Sequence, residues 1–190
     1  MIRCRARLTY TEVDAILSGL ADRAVKYLEE RAGAEIPFFL YFPLTSPHEP
    51  IAPSGSFSGK SGMNALADFV IETDAVVGRV MEAVDRLGLS KDTLLFFTAD
   101  NGSSMYTGGK ELVAMGHDPH AGFRGAKTSI YEGGHRIPFF ARWPDRIPAG
   151  SRSTCSRRRP RAILSQSSGR PHDFSPPGAY LVSVDTRSTP

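Results

Sequence analysis

The chain contains only two cysteines and one tryptophan in 190 residues. Cys4 and Cys155 stand far apart, so two unpaired thiols are expected rather than a disulfide scaffold. No C-x-x-C or Cys/His cluster suggests zinc. No run approaches the roughly 18–20 apolar residues needed to span a bilayer, so no membrane span is expected. The start, Met1 to Tyr10, is basic, but no apolar stretch of about 7–15 residues follows it as in a signal peptide. The expectation is a cytoplasmic chain or one without its natural N-terminus. G-x-x-x-x-G-K-[ST] and G-x-G-x-x-G are missing, which removes support for nucleotide binding. G-x-S-x-G is missing too, which argues against an α/β-hydrolase.

Negative charge is scarce at one end only. Residues 151–190 hold seven Arg, no Lys and two Asp, so +5 sits there against a total of +3, and residues 1–150 carry −2. The basic character belongs to the tail, and no specific nucleic-acid partner is expected for the body. The chain is expected to divide at Gly150. Residues 1–150 form the folded part. Residues 151–190, rich in Arg, Ser and Pro, read as a disordered or non-native tail in which Ala162 to Leu164 and Tyr180 to Val184 are short apolar exceptions.

What is present is an α/β pattern. Residues 11–32 read as a helix, with Thr11 as cap, Asp14 in a capping-box-like place and Gly33 as terminator. Residues 36–42 read as a strand buried on both faces, followed by a Pro-rich loop. Residues 64–87 read as the clearest helix. Leu66, Phe69, Val70, Thr73, Val77, Val80, Val84 and Leu87 line one stripe, while Asp68, Glu72, Arg79, Glu82 and Arg86 fall largely opposite, and Gly88 stops it. Residues 93–98 read as a second buried strand. Strand, long helix, strand predicts a parallel pair. A Gly-rich excursion over 101–136 follows, then a short strand, Ile137 to Arg142. The fold class expected is α/β, a mostly parallel central sheet flanked by helices.

Three segments carry chemistry. Asp100 and Asn101 fall where the second strand ends, and ligands bind at the carboxyl ends of strands in such sheets. A carboxylate beside a carboxamide offers hard oxygen ligands for calcium or magnesium. Asp-Asn-Gly is equally good turn chemistry. His48, in Ser46-Pro47-His48-Glu49-Pro50, follows the first strand and should reach the same rim, where an imidazole hydrogen-bonds an anion or acts as an acid. Lys127, in Arg124-Gly125-Ala126-Lys127, could present a compact positive charge to an anion. Glu132-Gly133-Gly134 suggests a tight turn with positive φ.

In this order and spacing, these segments resemble the sulfatase family of the alkaline-phosphatase-like superfamily. The likeness runs from about residue 20 to residue 150. It takes in Ser46-Pro47-His48-Glu49-Pro50, Asp85-Arg86-Leu87-Gly88-Leu89, Phe97-Thr98-Ala99-Asp100-Asn101-Gly102, Arg124-Gly125-Ala126-Lys127, Tyr131-Glu132-Gly133-Gly134 and Trp143-Pro144. The resemblance implies hydrolysis of sulfate esters, small molecules or sulfated glycans, by a formylglycine made from Cys or Ser within C/S-x-P/A-x-R and bridged to the sulfate by calcium. It implies that Asp100 and Asn101 are the late pair of metal ligands. It implies that His48 and Lys127 contact the sulfate and the leaving oxygen. Family members are usually secreted, periplasmic or lysosomal.

The chain departs from that pattern at its front. Cys4 is followed by Arg5, Ala6, Arg7 and Leu8, and Cys155 by Ser156-Arg157-Arg158-Arg159, so neither is the nucleophile motif. No early carboxylate pair is found. The expectation is therefore the rear part of a sulfatase catalytic domain, inactive as it stands because formylglycine is absent. Two other readings stay open: a phosphodiesterase or phosphonate hydrolase of the same superfamily, or a non-catalytic binding fragment whose Arg-rich tail contacts polyanions.

Overall fold

A computed structural model describes residues 13–153 and the backbone of 179–183. Apolar residues at spacings of three and four build its first helix, α1 (Ile16–Arg31), which buries Leu17, Ala21, Ala24 and Leu28. Two alanines in that stripe let a second helix approach closely. The helix stops at Ala32, and Gly33 takes φ +86, as expected of its role as terminator. The start differs from expectation. Ala15 occupies the cap position with no side-chain bond, and Thr11 lies outside the described residues.

The second helix, α2 (Ala65–Arg86), begins at Asn64, whose side-chain oxygen accepts the Ala67 N–H at 3.1 Å. It ends in a paired cap: the Gly88 N–H donates to Asp85 and the Leu89 N–H to Val84, with Gly88 at φ +71. That double bond satisfies two orphan carbonyls and needs the left-handed glycine. Phe69, Val76, Val80, Ala83 and Val84 pack against α1 and the sheet. Each fully buried Leu or Val is worth about 1.5–3 kcal/mol. The ion pairs Arg79–Asp22 and Arg86–Glu29 join the two helices on their exposed side. Such pairs add roughly 0–1 kcal/mol each.

The sheet has strands β1 (Phe39–Tyr41), β2 (Thr93–Thr98), β3 (Phe139–Arg142) and β4 (Ala179–Ser183), in spatial order β1-β4-β2-β3. β4 runs parallel to both β1 and β2, and β3 runs antiparallel to β2. The strands at 39–41 and 93–98 therefore do share a direction, but β4 stands between them. This strand falls within the apolar exception at Tyr180 to Val184, whose aromatic and β-branched residues suit a strand. The rest of 154–190 lies outside the described residues.

Leu40 and Leu95 stand level with Leu181 and face the helices, where Leu95 joins the core. The opposite face is more open. Phe39 is 62% exposed and Tyr41 49%, so the first strand is not buried on both faces as its composition suggests. Its position at the sheet edge explains this. Phe139 and Phe140 on the other edge are exposed as well, and stack beside Phe96 and Phe97. No helix among the described residues is long and apolar enough to cross a membrane.

Candidate active site

Two loops and one strand end build the site. The first loop leaves β1 and carries His48. Beneath it, the hydroxyls of Ser46 and Thr73 meet at 2.7 Å, and Thr73 also donates to the Phe69 carbonyl at 2.7 Å. Both residues are buried, so the loop is fastened to α2 at its root. His48 itself is half-buried. Its Nδ1 lies 3.0 Å from the Glu49 carbonyl oxygen. A carbonyl only accepts, so Nδ1 carries the proton and Nε2 is left for another partner.

The same loop continues over residues 51–63 and is held by two carboxylates that its pattern had placed on the solvent side. Asp68 and Glu72 are 5% and 2% exposed. Glu72 accepts the Ser54 N–H at 2.8 Å, and Asp68 accepts those of Gly59 and Ser61 at 2.7 Å each. The helical period alone put them opposite the core, because the loop folding back over α2 is invisible to periodicity. Val70, expected in the apolar stripe, is instead 48% exposed. Hydrogen bonds from Ser61, side chain first and backbone next, then from Gly59, hold the Asp68 carboxyl below its ordinary value of 3.8 against a smaller opposing effect of burial.

The strand end carries Asp100 and Asn101, just beyond Thr98. Asn101 donates its amide nitrogen to the Gly102 carbonyl at 3.0 Å, and Oδ1 is the side-chain atom able to bind a cation. Gly102 then donates to Gly134 at 2.9 Å. A Cβ on Gly102 would strike the carbonyl of Gly133. Equivalent collisions meet a Cβ on Gly133, against Gly125, and on Gly134, against Ser129 and Ala126. Gly133 and Gly134 sit in a single helical turn, α3 (Glu132–His135), without positive φ. Glycine is needed there for close backbone approach, which corrects the turn expected from the sequence.

This glycine knot sets the second loop. The Lys127 N–H donates to the Ser103 carbonyl at 3.0 Å, two residues past Asn101. The next residue, Thr128, has φ +74, an outlying conformation for a β-branched residue. Farther back, Asp118 accepts the N–H of His120 at 2.9 Å and of Gly122 at 2.5 Å. Those two backbone bonds, ahead of the nearby imidazoles, hold its carboxyl low despite some desolvation. The His120 side chain is only 8% exposed, with Nε2 3.2 Å from the Ser103 carbonyl.

His48 lines an open cleft of about 690 Å³ together with Glu49, Ile51, Leu66, Thr107, Gly108 and Glu111, and Asp100, Asn101 and Lys127 are not among its lining residues. Asn64 fixes its floor, donating to Gly108 at 3.0 Å and to Glu111 at 3.1 Å while it caps α2. The structure thus joins the Lys127 backbone to the segment just after Asp100 and Asn101. His48 shares its cleft with Thr107, Gly108 and Glu111, farther along the chain from Ser103, and not with Asp100, Asn101 or Lys127. Asp100 is exposed, and His48, Asn101 and Lys127 are half-buried. Among the described residues, no group of three or more His, Cys, Asp or Glu is placed to hold a metal. Asp100 and Asn101 fit calcium in donor type but fall short of the roughly six to eight oxygens it takes.

A sulfatase family model matches residues 17–168. The chain is 40% identical over 116 residues to an N-acetylgalactosamine-6-O-sulfatase of Bacteroides thetaiotaomicron, covering 60% of this chain and 23% of the relative. It is 43% identical over 115 residues to bovine arylsulfatase A, covering 60% and 21%. The crystal structure of the PsFucS1 sulfatase from Pseudoalteromonas sp. superposes with a TM-score of 0.67 at 26% identity, over 77% of this chain and 28% of that one. The chain belongs to the sulfatase family and has its α/β fold in part. It spans less than a quarter of the length of the two sequence relatives it matches.

Proposed function

We propose that this chain supplies the sulfate-facing rear of a sulfate-ester hydrolase site. His48 and Lys127 bind the oxygens of the ester, and Asp100 and Asn101 contribute two oxygen ligands to calcium. The tie from Lys127 N–H to the Ser103 carbonyl supports this reading most directly, because it fixes a cation-bearing loop to the segment bearing the acid–amide pair. A sulfuryl group carries its charge on peripheral oxygens, so donors held there beforehand stabilise the developing charge without reorganising. Lys127 offers a compact charge to those oxygens. His48, with Nδ1 committed to Glu49, presents Nε2 to the leaving oxygen and gives up a proton when charged. Calcium, when bound, would neutralise charge on the sulfate. The cleft between His48 and Glu111 accommodates the alcohol part of the ester, in a small molecule or a sulfated glycan.

Alone, the chain performs no turnover on this reading, since none of its 190 residues forms C/S-x-P/A-x-R and no covalent route exists. Purified chain incubated with 4-nitrophenyl sulfate should release no more nitrophenol than a His48→Ala control. Release above that control would overturn the proposal of an incomplete site. Inorganic sulfate should shift the backbone amide signals of His48 and Lys127, and Lys127→Ala should abolish the response at both.

A further inference from the structure

We propose that His120 is a positioning residue that sets Lys127 by clamping the Ser103 carbonyl. The inference rests on the reading that Lys127 faces the sulfate, but it has its own observables. His120 lies in a stretch where most residues from 113 to 122 are exposed, yet its own side chain is almost wholly covered. Burying an imbedded polar ring at the base of an open loop is costly unless the ring is bonded. Its Nε2 reaches the Ser103 carbonyl at 3.2 Å. The oxygen can only accept, so Nε2–H is the donor.

That oxygen also accepts the Lys127 N–H at 3.0 Å. One carbonyl therefore joins three parts of the molecule: the strand-end segment after Asn101, the Lys127 backbone and the His120 ring. Using both lone-pair directions of Ser103 fixes the plane of its peptide, and rotation of that peptide would break both bonds together. Asp118 holds the other end. It fixes the backbone at His120 and Gly122, and its Oδ1 lies 3.7 Å from Nδ1 of the ring. The adjacent Thr128 needs such restraint, because its positive φ persists only where the surroundings impose it. The ring donates through Nε2 whether Nδ1 is protonated or not, so the clamp does not require a charged histidine.

The test compares His120→Leu, which keeps bulk and loses the donor, with His120→Gln, which keeps a donor, in the full chain. Amide hydrogen exchange at Lys127 should speed up about five- to tenfold in His120→Leu, the worth of one lost hydrogen bond. Exchange at Val80, within α2, should stay as it was. His120→Gln should restore part of the Lys127 protection, and any amide-shift response to inorganic sulfate should weaken in His120→Leu and recover in His120→Gln. Unchanged protection at Lys127 would overturn the proposal. So would equal loss at Lys127 and Val80, which marks a role in overall stability alone. Absence of any sulfate response in the unaltered chain would count against the function proposed above, while the exchange comparison still decides the clamp.

Discussion

The two loops that carry His48 and Lys127 are held in different ways. The His48 loop is fastened by side chains: Ser46 on Thr73, Ser54 on Glu72, and Gly59 and Ser61 on Asp68. Apart from the His120 and Asp118 side chains, the Lys127 loop is fastened by backbone, through Gly102, Gly125, Gly133 and Gly134 packed where no Cβ fits. The first design puts its specificity in polar side chains on a rigid helix. The second puts it in the absence of side chains. Each is therefore vulnerable to a different kind of substitution, and the contrast gives a way to test both.

The largest effect is expected in the glycine knot. Gly134→Ala should destabilise the chain by about 3 kcal/mol, because the added methyl meets two backbone carbonyls that have no rotamer to escape into. Urea denaturation measures this, and loss of Lys127 amide protection should accompany it. A shift under about 1 kcal/mol would mean that the knot yields, and would erase the contrast.

The next effect lies in the other loop. Glu72→Ala should cost about 2 kcal/mol by leaving the Ser54 N–H buried without an acceptor. Glu72→Gln keeps an acceptor and should cost less than half as much. If the two substitutions cost the same, the charge rather than the hydrogen bond holds the loop.

Acid should loosen the His48 loop. The Asp68 carboxyl is held below 3.8 in the folded chain, so its contribution is fully present above that value and fades as pH falls through the lower folded value. Denaturation midpoints recorded from pH 6 down to pH 2 should fall at the acid end, and Asp68→Asn should flatten that part of the profile. A profile identical in the two proteins would remove Asp68 from the account. The smallest effect is expected at Thr128→Gly, which relieves the positive φ beside Lys127 and should stabilise by about 0.5 kcal/mol in thermal melts, the strain relieved exceeding the entropy that glycine adds to the unfolded chain.

The sequence made some of this architecture plain and hid the rest. The helices were readable because their apolar period is strong and Gly33 and Gly88 end them. The strand at 93–98 was readable from its continuous apolar run. The placement of Asp68 and Glu72 was not, since their partners are backbone N–H groups of a loop whose path no period records. Gly133 and Gly134 suggest a turn by sequence, whereas close backbone approach rather than local φ demands them. The candidate site residues His48, Asp100, Asn101 and Lys127 stand out by motif. His120 did not, though Asp118-Pro-His-Ala-Gly122 carries turn chemistry that marks a fixed loop. The strand at 179–183 was obscured by the basic, Pro-rich residues around it.

One titration bears on the central claim most directly: backbone amide shifts of the 190-residue chain followed as sulfate and then calcium are added. If the imidazole, the acid–amide pair and the ammonium share one rim, perturbations should gather together at residues 48, 100–103 and 127. Perturbations confined to the arginine-rich end, or scattered without relation to those positions, would contradict the account.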